Sequence, residues 1–445
     1  MAGQPGVEEL KAMAFAKIDE RAEDIKNIGR TIWHNPELGF KEKKTAQLMV
    51  DVLKDLGVSC RTGIAVTGLK GTLKGRSAVG TVGVVGELDC VVCPEHPAAD
   101  PDTGGAHSCG HHAQVTIALG CAMALAASGV MNWLDGDVQI LGIPAEEYVE
   151  LGYRDHLVKK GVIPFMLGKA SWIALGEFDD IDLYLATHTS IIEDKIVSID
   201  RGGTNGLVGK LVRFRGREAH AGGAPHLGVN ALNAANIALV ALNAQRETFL
   251  EKDTIRIHPI VTKGGDLVNV VPADVRLESY VRGHTVEGIL DASKKFDRSM
   301  QAGALAVGAE VDLQTMPGAL GMQPKLVSQV AFDLFVENAS RLFGADKVRI
   351  GSPTDYSTGS NDVADVMHVI PTASMRTTGV AGVAHSKEFT VVDEDRAYIA
   401  PSKVMAATVI DLLAGGASPL KKVKADYQPV YNKETYVKMW REFVR

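Results

Sequence analysis

Three short apolar runs, each closed by side chains that can bind metals or move protons, restrict the fold of this chain more than any other feature. They are Thr81 to Gly86, Asp137 to Ile143 and Ile181 to Thr187. A run of this length with no polar face reads as a strand buried on both sides, the kind found in parallel sheets covered by helices. The first run ends in Glu87-Leu88-Asp89, the second in Pro144-Ala145-Glu146-Glu147 and the third in His188. If the strands are parallel, these ends lie along one sheet edge, where open α/β sheets place their active sites. Glu146 and Glu147 repel each other unless a cation or an arginine sits between them.

The stretch Gly105 to Gln114 adds to the same edge. It holds His107, Cys109, His111 and His112, at a junction between a loop and a helix. Gly110 lets the backbone bend so that Cys109 and His111 can point at one spot. Thiolate and neutral imidazole together suit zinc and similar divalent ions. The convergence of these groups predicts a mononuclear or dinuclear metal site. The competing readings are solvated strand ends and buried, hydrogen-bonded histidines. Cys90-Val91-Val92-Cys93 has CxxC spacing, but no second pair accompanies it and Pro94 follows directly. His34 reads as a turn or packing residue.

The rest of the chain frames this edge. Helical patterning runs over Val7 to Ile28, Lys41 to Leu56, His112 to Ser128, Lys325 to Phe343 and Tyr398 to Gly415. Further strands are expected at Gly68 to Leu73 and Val366 to Ile370. Residues 202–317 have a rhythm of their own, β-α-β-β-α-β, which fits an inserted two-layer split βαβ domain able to move as a lid. The expected division is therefore 1–201 and 318–445 for an α/β catalytic domain with a central, mostly parallel sheet, and 202–317 for a ferredoxin-like α+β insertion.

Composition excludes some classes of function. Net charge is -7 with no long basic run, which argues against nucleic acid. The charged N-terminus lacks a signal-type apolar core, and Val115 to Val130 is too short and too rich in Ala and Gly to span a membrane. The expectation is a cytoplasmic protein without a membrane partner. Its five cysteines, an odd number, favour free thiols or metal ligands over a disulfide framework.

Taken in order, the motifs resemble those of the M20 metallopeptidase family, in its amidohydrolase branch. That branch contains aminoacylase, hippurate hydrolase, auxin-conjugate hydrolase and aminobenzoyl-glutamate hydrolase enzymes. The resemblance rests on residues 33–40 (Trp33 to Phe40), Gly86 to Asp89, Cys109-Gly110-His111, Pro144 to Glu147, His188, Ala219-His220-Ala221, Asn230 to Leu232, Asn269 to Pro272, Ser360 to Val363 and His385. It implies two divalent metal ions, of zinc, manganese, cobalt or nickel, with Cys109, His111, Glu147, His188 and His385 as ligands. It also implies Glu146 as general base and Asp89 as the acid supporting a metal-site histidine. His220 matches a lid histidine that reaches the partner subunit's active site in dimeric relatives. Asn269 and Arg282 match lid positions that hold a substrate carboxylate or amide oxygen.

The implied activity is hydrolysis of a small-molecule amide, an N-acyl or N-aroyl amino acid or a similar conjugate, by a homodimer formed through residues 202–317. A dipeptidase, a carbamoyl-amino-acid hydrolase or a non-catalytic metal-binding relative are the alternatives. One departure stands out. The family usually has Asp or Asn after Cys-Gly-His and often a second His two positions later, where this chain has His112 and Gln114.

Overall fold

A computed structural model describes residues 5–443; the first four and last two positions of the chain lie outside the described residues. The chain forms two compact units. Among the described residues, one takes in 5–202 together with Gln323–Asp355 and Asp365–Glu434, and the other comprises Gly203–Met322, Tyr356–Ala364 and 435–443.

The first unit is built on an eight-stranded sheet. In spatial order its strands are Cys60–Ile64, Gly68–Leu73, Asp137–Ile143, Thr81–Glu87, Leu183–Thr189, Thr372–Thr377, Val197–Asp200 and Val348–Ile350. The central four, Asp137–Ile143 through Thr372–Thr377, pair in parallel, so their C-terminal ends share one edge. The apolar runs are buried as expected. Helix His111–Ala127 is sealed nearly all round and packs on Thr81–Glu87. Gly86 permits that approach, since a Cβ there would come within 2.7 Å of the Val115 backbone. Val82, Val84, Leu183, Leu185, Ala373 and Met375 join the core on this helix's side. By strand alternation, Glu87, His188 and Arg376 then project from the opposite face.

Three local expectations are corrected. The pattern from Val7 to Ile28 forms two helices, Val7–Glu20 and Ala22–Trp33, broken at Arg21. The break lets the stripe Leu10, Ala14, Ile18 and the stripe Ile25, Ile28, Ile32 both turn inward, and both helices pack on His111–Ala127. Residues Val366 to Ile370 are not a strand: helix Val363–Met367 and a turn occupy them, and the strand is Thr372–Thr377. Pro371 resets the chain from helical turn to extended backbone, and Ala373 and Met375 supply the buried face. The third parallel run is also shifted, to Leu183–Thr189, which places His188 within the strand.

The second unit has an antiparallel sheet in the order Arg256–Ile257, Asp274–Gly283, Gly206–Arg215, Glu310–Ala319, with Ile260–Lys263 also pairing with Asp274–Gly283. Helices Ala231–Ala244 and Val286–Val307 pack against each other and the sheet. Its last strand runs through Pro317 and Gly318. Proline is tolerated because this strand pairs on one side only, and a register shift against Leu207/Gly209 absorbs it.

Candidate metal centre

The backbone brings the ligand-type side chains to one place by three left-handed conformations. Gly110 sits at φ 102°, a left-handed value that glycine adopts without strain, and a Cβ there would strike the Thr189 side chain. Thr189 Oγ1 donates to the Cys109 carbonyl at 3.0 Å, tying the loop to the strand that carries His188. Ala145, at φ 56°, turns the chain sharply after Asp137–Ile143, so the side chains of Glu146 and Glu147 diverge. His385 is also left-handed, at φ 63°, and its N–H donates to the Ser108 carbonyl at 2.8 Å.

Three triads of donor atoms result; one groups Glu87, His111 and Glu146, and the other two share Cys109. In one of these two, Cys109, His111 and His188 place their donors within 4.8 Å of one another; in the other, Cys109, Glu147 and His385 do so. Cys109 Sγ lies 3.4 Å from His188 Nε2, and His385 Nε2 lies 3.2 Å from Glu147 Oε1. Asp89 Oδ1 and its carbonyl flank His111 Nδ1 at 3.2 and 3.0 Å, while Asp89 Oδ2 accepts from the Glu147 N–H at 2.9 Å. One acid thus orients two of the candidate ligands.

The donor set fits a cation. His111 Nε2 and Glu147 Oε1 are buried and aligned in no hydrogen bond, although other donor atoms stand close to both. Burial, then the Glu147 charge, pushes the Cys109 thiol up, so a thiolate at this position needs positive charge beside it. Burial, reinforced by the Arg376 charge, holds His188 down at about 4 and so keeps it neutral, as a ligand imidazole must be. Burial raises Glu147, but the hydrogen bond and charge of His385 outweigh it and hold the carboxyl at about 2.

Glu146 approaches the same histidine from another side. Its Oε2 lies 3.6 Å from His111 Nε2, and its side chain is 11% exposed. Three further residues complete this side, and sequence reasoning gave them no role. Glu87 Oε2 lies 3.2 Å from His111 Nε2 and accepts from Gln114 Nε2 at 2.6 Å, while Glu87 Oε1 accepts from Lys169 Nζ at 2.5 Å. Burial would raise Glu87, but Lys169 and His111 outweigh it and hold it at about 2. Glu87 was visible as a strand-end acid and Gln114 as a departure from a pattern. Lys169 carried no signal, because it lies in an unremarkable helix, Gly168–Leu175.

His112 turns away from these donors. Its ring centroid is 4.9 Å from that of Trp33 and 5.6 Å from that of His107, and burial holds it at about 3. His220, Asn269 and Arg282 belong to the second unit. There His220 is exposed and its Nδ1 accepts from the N–H groups of Gly222 and Gly223, at 3.2 and 2.9 Å. The Asn269 carbonyl accepts from the Ala221 N–H, and the Arg282 guanidinium lies 5.3 Å from the Tyr280 ring centroid.

Comparison with known proteins bears on both units. Residues 202–301 match the model of a peptidase dimerisation domain of the M20 group. The chain is 25% identical to the Xaa-Arg dipeptidase of Mus musculus over 420 residues, covering 92% of this chain and 90% of the relative. It is 22% identical to one of the subunits of the p-aminobenzoyl-glutamate hydrolase of Escherichia coli (strain K12), covering 86% of this chain and 76% of the relative. Among solved structures, the YXEP protein of Bacillus subtilis, described as a dinuclear metal-binding peptidase, superposes with a TM-score of 0.61 at 19% identity. The match covers 88% of this chain and 98% of that one.

Proposed function

Because this chain belongs to the M20 peptidase family, whose members are hydrolases, we propose that it cleaves the amide bond of an N-acyl or N-aroyl amino acid or a similar small conjugate. The observation that carries this reading is the pair of donor triads hinged on Cys109. Cys109, His111 and His188 would hold one divalent ion, and Cys109, Glu147 and His385 a second. Zinc suits the thiolate, while the imidazoles and the carboxylate also admit manganese, cobalt or nickel. Bound there, the ions would acidify a water molecule and polarise the amide carbonyl.

The chain's own groups supply the rest. Asp89 fixes the His111 ring through Nδ1 and leaves Nε2 for a cation. Glu146, whose Oε2 lies 3.6 Å from His111 Nε2 and which belongs to neither Cys109 triad, takes the proton of the attacking water and hands it to the leaving nitrogen. His220 is assigned to the developing oxyanion, and Asn269 and Arg282 to the substrate, on the family resemblance. A homodimer through the second unit is part of the same reading. Leu232, Ile237 and Val240 expose an apolar face on helix Ala231–Ala244, and Ile260 and Val261 are exposed on strand Ile260–Lys263. All five cysteines are unpaired thiols, which suits a reducing, cytoplasmic compartment. A dipeptidase is the second reading, favoured by the mouse relative that spans nearly the whole chain.

The test is metal analysis followed by a panel of N-acyl, N-aroyl and dipeptide substrates with each metal added back. Glu146→Gln is expected to retain metal and lose about a hundredfold or more in kcat. Undiminished amide cleavage in that variant defeats the assignment.

A further inference from the structure

Arg376 stands beside the candidate metal centre, and neither the family resemblance nor the reading above gives it a role. It is the register partner of His188 on the adjacent parallel strand. Register partners of neighbouring strands project from the same face about 4.8 Å apart. Its Nε donates to Asp200 Oδ2 at 2.5 Å. Its two Nη groups make no hydrogen bond among the described residues, and the side chain is 35% exposed. Asp200 thus grips the guanidinium from the side and leaves the end-on fork open. An arginine held in this way is already ordered, so less freedom is lost when the fork is used.

We propose that Arg376 is a specificity-determining residue that binds the carboxylate of the substrate's amino acid, so that the preferred substrates are N-acyl amino acids with a free carboxylate. The inference rests on the amidohydrolase reading for the identity of the substrate, and it deepens that reading. The chemistry is the match between a planar fork of N–H donors and the two oxygens of a carboxylate, a charge-assisted and directional contact. A neutral carboxamide at the same position presents one acceptor and one NH2 group, and the second donor of the fork faces that NH2 group. The other face-sharing charge, Glu87, is already satisfied by Lys169 and Gln114 and does not compete for the fork.

The test is calorimetric binding of N-benzoylglycine and of N-benzoylglycinamide to the Glu146→Gln protein, with and without Arg376→Met or Arg376→Lys. The expected result is tighter binding of the acid than of the amide. Arg376→Met should weaken the acid about tenfold or more relative to the amide, and Arg376→Lys should restore part of the difference. Equal affinity for both compounds, no binding of either, or an equal loss for both in Arg376→Met overturns the proposal; the last result would mean that the Arg376–Asp200 pair only ties strands together. If the wild-type protein hydrolyses no amide with any metal, the reading of function falls, while the binding comparison still decides Arg376.

Discussion

Lys169 Nζ lies 2.5 Å from Glu87 Oε1, and both side chains are sealed inside the first unit, at 0% and 4% exposure. A buried charge that loses its partner is far more costly than a pair that is replaced together. Lys169→Met should therefore destabilise the protein by about 3–5 kcal/mol. The double variant Glu87→Gln/Lys169→Met should recover at least ~1 kcal/mol of that loss. Denaturant unfolding of the single and double variants checks this, and strict additivity would show that the two groups do not depend on each other.

Gly110 is the pivot of the Cys109 loop. Alanine there meets both an unfavourable left-handed backbone and the Thr189 side chain. Gly110→Ala should cost about 1–3 kcal/mol and should reduce the metal retained after dialysis by displacing Cys109 from His188. Unaltered metal content in a folded Gly110→Ala protein would count against a shared Cys109 ligand.

Acid stability should depend on Asp135. Arg76 donates to both of its oxygens, at 2.7 and 2.8 Å, and the Gly416 N–H adds a third bond at 2.6 Å. The Arg76 hydrogen bond holds this carboxyl well below the usual range. A carboxyl lowered by folding contributes stability that is fully present above its unfolded value, about 4. That contribution is lost as pH falls from there through the folded value. Asp135→Asn should be less stable than wild type at pH 7, and the gap should narrow below about pH 4. Thermal melting across that range reads the effect, and a gap that widens in acid would reverse the sign.

If the second unit forms the dimer, its apolar helix face is the sensitive place. Val240 is 65% exposed and Ile237 38%. Charge in a buried interface goes uncompensated, so Val240→Asp should convert a dimer to a monomer at micromolar concentration, as read by light scattering. A dimer that survives Val240→Asp and Ile237→Asp together would place the interface elsewhere.

Much of the fold was legible in the sequence because burial writes itself into composition. Strands covered on both sides are apolar along most of their length, so Thr81–Glu87 and Asp137–Ile143 were visible as runs, and the acids at their ends marked the sheet edge. Glu146, Glu147 and His188 were nameable for the same reason, Cys109 and His111 from their close spacing about Gly110, and His385 from the family resemblance, which also assigned the parts of the others. What sequence alone could not decide was which donor faces which. The grouping of the candidate ligands into two triads about Cys109 depends on left-handed turns at Gly110, Ala145 and His385, and no local pattern encodes the direction those turns take. The partnership of Glu87 with Lys169, 82 positions apart, and of His188 with Arg376 across two strands, arises only when the sheet is assembled. Sequence carries the period of burial, which is local; the pairing of charges is set by strand order and register, which belong to the whole fold.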